Sequence, residues 1–442
     1  MALSGLVFSP ANAVDSVETV ICGTGTYTKT TNGSVVTFSD ANTCTGPLVI
    51  PEGVEATTNY IFYYAGDAQV TSVSLPASLS QIGFSALYGA PLLTEINVAP
   101  TNAAFTSVDG VLFRLNGASA SLFAYPSKKV ESTYTTPTSV SFAGGSPIPV
   151  TRIENYALQG AKNLTTLNIS EGVTTLGYGI AESATHLSSI NLPDSYTEMT
   201  EQPLAGATGL TAFTIGEFLT SIQEGSLSQT GNLNSITVHP DNSSYSSSLD
   251  GVLFNDALTV LIAYPVGKPA ASYTIPSGVT TVDKKSFQSA WKLTSVIFPS
   301  SISTIESEAF SCASYLTSFI FRGDAPTVGE FAFGCIEAPK AYIKSGNTTF
   351  TPVDGKWNLL TVLEFDYFAN FDSKGGSAVS IGTFLTGGIV SEPTVPTRTG
   401  YGFTGWSITD SVADGGTAVA FPYAPSGDIT LFANWFEDGN FL

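Results

Sequence analysis

A chain of 442 residues exceeds what one conventional hydrophobic core sustains, roughly 250 to 300 residues, so several domains or a repeat array are expected. Charged residues make up 12% of the chain against an ordinary 43% of hydrophobic ones, which excludes a disordered tail and a long charged coiled coil. Sixteen basic against 36 acidic residues leave a net charge of −20, which repels nucleic acid and anionic lipid alike.

The chain opens with an apolar stretch, Ala2 to Phe8, and Ala11-Asn12-Ala13 fits a signal cleavage site. Residues 1–13 are therefore expected to be a secretory signal remnant, although no Lys or Arg precedes the apolar stretch. Residues 14–53 follow as an N-terminal cap, placed to cover the first bare layer of the array described next. Cys22 and Cys44 lie within it, either joined as a staple or present as two buried free thiols.

Abundant glycine (42 residues) and aromatic residues (11%) favour short strands and tight turns over long helices. A period of 23 then organises residues 54–362. Leu164, Leu187, Leu210 and Leu233 share one column, and Leu167, Ile190, Phe213 and Ile236 a second. Ile169, Leu192, Ile215 and Val238 form a third, and Ile153, Leu176, Met199 and Ile222 a fourth. Val70, Val73 and Leu75 repeat as Leu93, Ile96 and Val98; Phe287, Phe310 and Phe333 add an aromatic column. An apolar-x-x-apolar-x-apolar segment is a short strand with alternate side chains turned inward, ended at Pro76, Pro193, Pro276 and Pro299. One coil buries little alone, and about ten stacked between Val70 and Ile343 share a core.

Two coils carry similar islands: Asp109-Gly110-Val111-Leu112-Phe113 with Phe123-Ala124-Tyr125-Pro126 and Tyr134, and Asp250-Gly251-Val252-Leu253-Phe254 with Ile262-Ala263-Tyr264-Pro265 and Tyr273. Asp-Gly in each is a hairpin-turn signal. Cys312 and Cys335, also 23 apart, occupy one slot on neighbouring coils, within reach of a disulfide or stacked as reduced thiols.

The segment L-x-x-[IVF]-x-[ILVF]-P followed by [IVL]-x-x-x-[AS]-F, together with the two islands, resembles the BspA-type leucine-rich repeat. That resemblance implies a bacterial (or protist) secreted or surface protein that binds host or matrix components. The asparagine ladder of other leucine-rich repeats is absent, so their ligand rules do not transfer.

Beyond Trp357 the period ceases. Residues 363–436 carry Arg398-Thr399-Gly400-Tyr401-Gly402-Phe403-Thr404-Gly405-Trp406 and end near Trp435, before a tail of residues 437–442. The G-Y-x-F-x-G-W signature resembles the Listeria–Bacteroides (internalin B) repeat, which implies a small β-grasp-like module of the stalk or spacer kind. Its Tyr401, Phe403, Trp406 and Trp435 are expected to form the module core. The fold class is thus mainly β: a solenoid of about ten 23-residue coils with two hairpin-like insertions, plus this module.

Catalytic chemistry has little material. His186 and His239 fall in turn slots, and no nucleophile elbow, calcium loop or phosphate loop is present. Glu154, Glu171, Glu182, Glu306 and Glu308 are scattered over exposed slots. No enzyme activity, cofactor or metal is expected, and no stretch approaches the roughly 20 apolar residues that span a bilayer. What remains is surface. Between the inward columns lie Thr166 and Asn168, Ser189 and Asn191, Ala212 and Thr214, Ser235 and Thr237, a neutral outward ladder suited to glycan or protein. The same slot becomes Ile297 and Ile320, predicted to expose apolar area that marks a contact surface. The expected role is a secreted or cell-surface binding protein for an extracellular protein or glycan. A structural spacer without ligand is the alternative, and a glycan hydrolase with paired carboxylates the third.

Overall fold

The computed structural model describes residues 16–437 apart from 33–34, 40, 42, 60–68, 84–86, 88–89, 201, 378, 380 and 411–417. The expected signal remnant therefore lies outside the described residues. Every regular element among the described residues is a strand, and the chain winds a β-solenoid of about thirteen turns. The chain divides into two compact units, residues 1–210 with 218–226, and residues 211–217 with 227–442.

The first unit begins with the antiparallel hairpin Ser16–Cys22 and Gly25–Asn32, extended by Val35–Ser39. Cys22 and Cys44 are joined by a disulfide with Cα atoms 5.1 Å apart. The very next strand, Thr45–Val49, already pairs in parallel with Gln69–Leu75, and that with Glu95–Val98. The first parallel rung thus comes from the segment that carries the disulfide, and the turn count exceeds the ten read from the columns partly for this reason. At the far end Leu360–Phe365 supplies another such rung, beyond Ile343.

Further rungs are Thr133–Thr135, Thr166–Asn168 and Ser189–Asn191 in the first unit, with Leu167 opposite Ile190. In the second unit Ala212–Ile215 pairs with Ser235–Val238, placing Phe213 against Ile236. Ser272–Thr274, Ser295–Phe298, Ser318–Phe321, Lys340–Lys344 and Leu360–Phe365 then continue in parallel. The return legs form a shorter ladder of two-residue strands, as in Thr281–Val282, Thr304–Ile305 and Thr327–Val328. Both islands are antiparallel meanders whose third strand re-enters this ladder. Ser119–Ala124 joins Ile148–Ile153, and Val260–Ala263 joins Thr281–Val282.

Stacking does what the period requires. Leu164, Leu187, Leu210 and Leu233 are each at most 1% exposed. Burying a leucine contributes about 1.5–3 kcal/mol, so the column is a principal source of stability. Parallel strands lie about 4.8 Å apart, and rings in one slot must therefore stack at close to that distance. Tyr264 and Phe287 do so at 4.9 Å, Phe287 and Phe310 at 4.7 Å, and Phe310 and Phe333 at 5.7 Å.

The corners carry a second repeat. Lys285, Glu308 and Phe331 all have φ between 55° and 58°, and Ser289, Cys312 and Cys335 between 56° and 61°. Non-glycine residues adopt this left-handed geometry at a cost of about 1 kcal/mol. Inter-coil bonds hold it here: Ser289 N–H donates to Ser311 O at 3.0 Å, and Cys312 N–H to Gly334 O at 2.9 Å.

The C-terminal module is a four-stranded mixed sheet in spatial order Gly382–Phe384, Tyr367–Asp372, Ile429–Glu437, Tyr401–Ser407. Trp406 is buried with Leu431 and Ala433, and Phe403 packs edge-on against both Trp406 and Trp435 at 5.5 Å. Phe403, Trp406 and Trp435 belong to this core as expected, whereas Tyr401 lies outside it, half-buried with Arg398 over its ring at 3.8 Å.

Phe310→Ala removes a ring that touches Phe287, Phe298, Phe319 and Phe333. It is expected to lower stability in urea unfolding by about 3–5 kcal/mol, and a loss below about 1 kcal/mol would show that the stack carries no weight.

Candidate binding face

The outward side chains named from the sequence fall on rungs in register. In the first unit Thr166 lies opposite Ser189, and Asn168 opposite Asn191. Asn191 Nδ2 donates to Asn168 Oδ1 at 2.7 Å, and Asn168 Nδ2 donates to Thr135 Oγ1 at 3.1 Å. Ser189 Oγ closes the row on Asn191 Oδ1 at 3.4 Å. This is a short asparagine ladder on the outward side of the strands. The absence of the inward kind gave no hint of it, although the spacing of 23 between Asn168 and Asn191 could have.

In the second unit Ala212 lies opposite Ser235 and Thr214 opposite Thr237, with the two threonine hydroxyls 2.9 Å apart. Asn191, Ala212, Thr214 and Thr237 are exposed; Thr166, Asn168, Ser189 and Ser235 are half-buried. None of the eight is charged, so each face offers hydrogen bonds without a field of its own.

Ile297 and Ile320 do not follow the prediction. They are opposite one another on adjacent rungs, 0% and 2% exposed, because the chain itself covers them. Phe365 and Phe368, at the junction into the C-terminal module, pack on them together with Tyr342 and Ile381. Arg322 lies over the Phe368 ring at 4.8 Å and Lys344 over Phe365 at 4.9 Å, shielding the edge of the cluster. Asp366 between the two rings is held below the usual carboxylate range, chiefly by the Ser345 hydroxyl and then by the Thr386 amide. The apolar slot was a contact surface, and its partner is the chain's own module. The signal lay in the Phe365-Asp366-Tyr367-Phe368 cluster where the period stops.

The cysteines divide. Cys22 and Cys44 are bonded, whereas Cys312 and Cys335 are free, exposed thiols at the left-handed corner slot. A hydrogen bond with Cys312 raises the Cys335 thiol above its ordinary range.

The carboxylates read as scattered surface groups include several with structural tasks. Glu171 accepts the Asp194 and Ser195 amides of the next coil at 2.8 and 3.1 Å. Glu154 accepts from Arg114 at 2.6 Å and from Ser121 at 2.7 Å. His186 is exposed beside the Thr185 hydroxyl, 3.2 Å away. Glu217, His239 and Asp241 bring ligand atoms within 4.8 Å at the surface, but His239 Nδ1 already accepts the Asp241 amide at 3.3 Å.

One structural pair escaped the sequence reading. Asn102, 1% exposed, donates to Pro76 O and Leu79 O at 2.7 and 2.9 Å and accepts the Ala104 and Phe105 amides. Asn242 repeats the arrangement with Gly216, Glu217, Ser244 and Tyr245. The shared P-x-N-x-x-aromatic entry to both islands carries it.

Comparison with known families finds the BspA type leucine rich repeat region in six copies, over residues 36–117, 140–249 and 267–352. The Listeria-Bacteroides repeat domain matches residues 367–434. Among solved structures the chain is similar to a leucine rich cell surface protein from Faecalibacterium prausnitzii A2-165, at 21% identity over 80% of this chain and 95% of that one, with TM-score 0.45. It is similar also to the pneumococcal vaccine antigen PcpA, at 14% identity over 79% of this chain and 99% of that one, with TM-score 0.38. A leucine-rich repeat protein from Eubacterium ventriosum ATCC 27560 aligns at 18% identity over 81% and 79% respectively, with TM-score 0.39. No curated protein matches.

Ile297→Asp places an unpaired carboxylate under Phe365 and Phe368 and is expected to cost on the order of 3 kcal/mol in urea unfolding. A variant as stable as the parent would show that this face is open. Mild oxidation is expected to join Cys312 to Cys335, seen as a linked peptide pair by mass spectrometry and lost in Cys335→Ser. Persistence of both thiols under oxidant that preserves the fold would count against the shared corner slot.

Proposed function

Because this chain belongs to the BspA-type leucine-rich repeat family, we propose that it is a secreted or cell-surface protein that holds an extracellular protein or glycan against the outward strand faces of its coils. The observation that carries this reading is the ordered polar row Thr135–Asn168–Asn191, with its counterpart at Thr214 and Thr237. Side chains already tied to one another lose little freedom when a ligand arrives, so more of each new hydrogen bond appears as affinity. The rows are neutral within a chain of net charge −20, which keeps the protein soluble while leaving the face open to uncharged partners.

Export is supported by the Cys22–Cys44 disulfide, since such bonds persist in oxidising compartments. No helix among the described residues is long and apolar enough to cross a membrane. Families of this kind are typically non-enzymatic binding scaffolds, and the carboxylates bound to Arg114 or to inter-coil amides support the same reading here. The C-terminal module is proposed as a spacer, seated on the last coils through Phe365 and Phe368.

A glycan and matrix-protein array, probed with the full chain, tests the proposal. Selective binding is expected, weakened at least tenfold by Asn191→Arg or Thr214→Arg with the melting temperature unchanged. A wild-type chain that retains nothing on the array overturns the reading in favour of a structural spacer, and so does binding that survives both substitutions.

A further inference from the structure

Beyond the strand faces, the second unit brings together three side chains of the metal-ligating kind. Glu217 lies just past the rung Ala212–Ile215, and His239 and Asp241 lie just past the next rung, Ser235–Val238. One ligand atom from each falls within 4.8 Å of the other two. His239 Nδ1 accepts the Asp241 N–H at 3.3 Å, so that nitrogen carries a lone pair and not a proton. An oxygen of the Asp241 carboxylate lies 3.9 Å from the same nitrogen, and Glu217 adds a second carboxylate. Lone pairs gathered in this way repel one another, and a cation placed among them turns repulsion into attraction.

The backbone that carries the three is held in place. Asn242, 6% exposed, donates to Gly216 O at 2.7 Å and to Glu217 O at 3.2 Å, and it accepts the Ser244 and Tyr245 amides. This clamp ties the Glu217 loop to the loop of His239 and Asp241. The first island has the same clamp at Asn102, which donates to Pro76 O and Leu79 O. There Ala77, Ala99 and Thr101 stand where Glu217, His239 and Asp241 stand in the second. The clamp therefore works without any of the three, and holding the coils together does not account for them.

The slot of Glu217 has a different duty in other coils. Glu171 accepts the Asp194 and Ser195 amides of the coil that follows it, and Glu52 accepts those of Ala77 and Ser78 at 2.9 and 3.4 Å. Twenty-three residues beyond Glu217 and Phe218 stand Pro240 and Asp241. Proline has no N–H to give, and the Asp241 N–H is already given to His239. The two amides that occupy this carboxylate elsewhere are thus withheld from Glu217, and the same exchange that withholds them supplies the imidazole and the second carboxylate.

We propose that Glu217, His239 and Asp241 form a surface site for a divalent transition cation, with zinc the ion that fits the donor set. An imidazole beside carboxylates suits zinc, whereas calcium and magnesium take oxygen ligands throughout. Zinc has no electronic preference among geometries, so an irregular set of three serves it. Its bonds to nitrogen and oxygen are about 2.0–2.2 Å long, so the ligand atoms close in by roughly an ångström, which rotation of surface side chains supplies. The ion takes the His239 Nδ1 lone pair in place of the Asp241 N–H, and that amide, on an exposed residue, turns to water instead. Three protein ligands leave the remaining tetrahedral position to water.

Calorimetric titration of the full chain with zinc tests the site, with calcium and magnesium as the hard-cation arms. Cys312 and Cys335 are exposed thiols that would take zinc themselves, so every titration is run with Cys312→Ser and Cys335→Ser in place. One equivalent of zinc is expected to bind, at least tenfold more weakly in His239→Ala and in Glu217→Gln. His186→Ala removes the other imidazole of the chain and is expected to leave binding intact. The melting temperature without metal is expected to be the same in all three variants, which separates loss of a ligand from loss of the fold. Failure to bind zinc stoichiometrically overturns the proposal. So does binding indifferent to His239→Ala or to Glu217→Gln, equal weakening by His186→Ala, or calcium or magnesium bound as tightly as zinc.

Discussion

A strand of four residues with one apolar side cannot hide that side by folding on itself, and every feature of this chain answers that limitation. The next coil must present the same side at the spacing of a parallel ladder, so identical slots recur each 23 residues and are forced into contact. The aromatic column makes the constraint visible. Tyr264, Phe287, Phe310 and Phe333 stack at 4.7 to 5.7 Å because successive coils can lie no closer and their side chains have no other place to go. Surface chemistry inherits the same repeat. The asparagine row, the left-handed corners and the amides held by Glu171 are all products of slots placed one coil apart.

Such a stack leaves a bare layer wherever it stops, and each stop has its own solution. At the start, antiparallel strands with a disulfide precede the first rung, so the segment that closes the layer is also covalently tied to it. At the end, Lys356–Trp357 turns back antiparallel on Leu360–Phe365, and Trp357 packs edge-on against Phe321 and Phe350. An edge strand of only two residues leaves little open edge for another chain to extend. Phe365 and Phe368 then fold onto the outward side, turning an apolar slot into the seat of the following module.

Periodicity told which side of a strand a residue occupies, and that much was legible. The leucine columns, the hairpin islands and the module core at Trp406 all lie where their spacing and signatures put them. What comes to cover a side is a different question, and a repeat contains no answer to it. Ile297 and Ile320 were correctly assigned to the outward direction and wrongly assigned to solvent, because their cover arrives from beyond the repeat. Cys312 and Cys335 shared a slot as expected, yet a 23-residue spacing does not distinguish an inward slot from a left-handed corner. Thr45–Val49 was invisible as a rung because Gly46 and Pro47 break its apolar pattern and shift its register. Cavities depend on side-chain reach rather than on period, so the one that Arg114 lines beside the first island was not legible, whereas the 23-residue spacing of Asn168 and Asn191 already held their row.

The islands show where a solenoid can acquire pocket chemistry. In a regular stretch each coil seals its neighbour, and outward side chains meet solvent as a shallow row. A three-stranded meander inserted in the return leg separates two coils locally and brings strand faces together that the period would never juxtapose. Both islands keep the parts that maintain this insertion: the Asp-Gly turn, the buried asparagine and the tyrosine pair. They differ at two packed positions, Arg114 and Phe123 in the first and Asn255 and Ile262 in the second. Asn255 closes on its own turn through Thr259 and Val260, whereas Arg114 reaches across to Glu154 on the next coil and holds one N–H without a partner among the described residues. Buried polar atoms without partners among the described residues occur in both copies, the Tyr125 and Tyr264 hydroxyls among them, so the copies differ in side-chain identity and not in how fully the insertion is satisfied. The meander is maintained in both, so what separates the copies is whether the residue at this position, Asn255 or Arg114, bonds within its own turn or ties the island to the next coil.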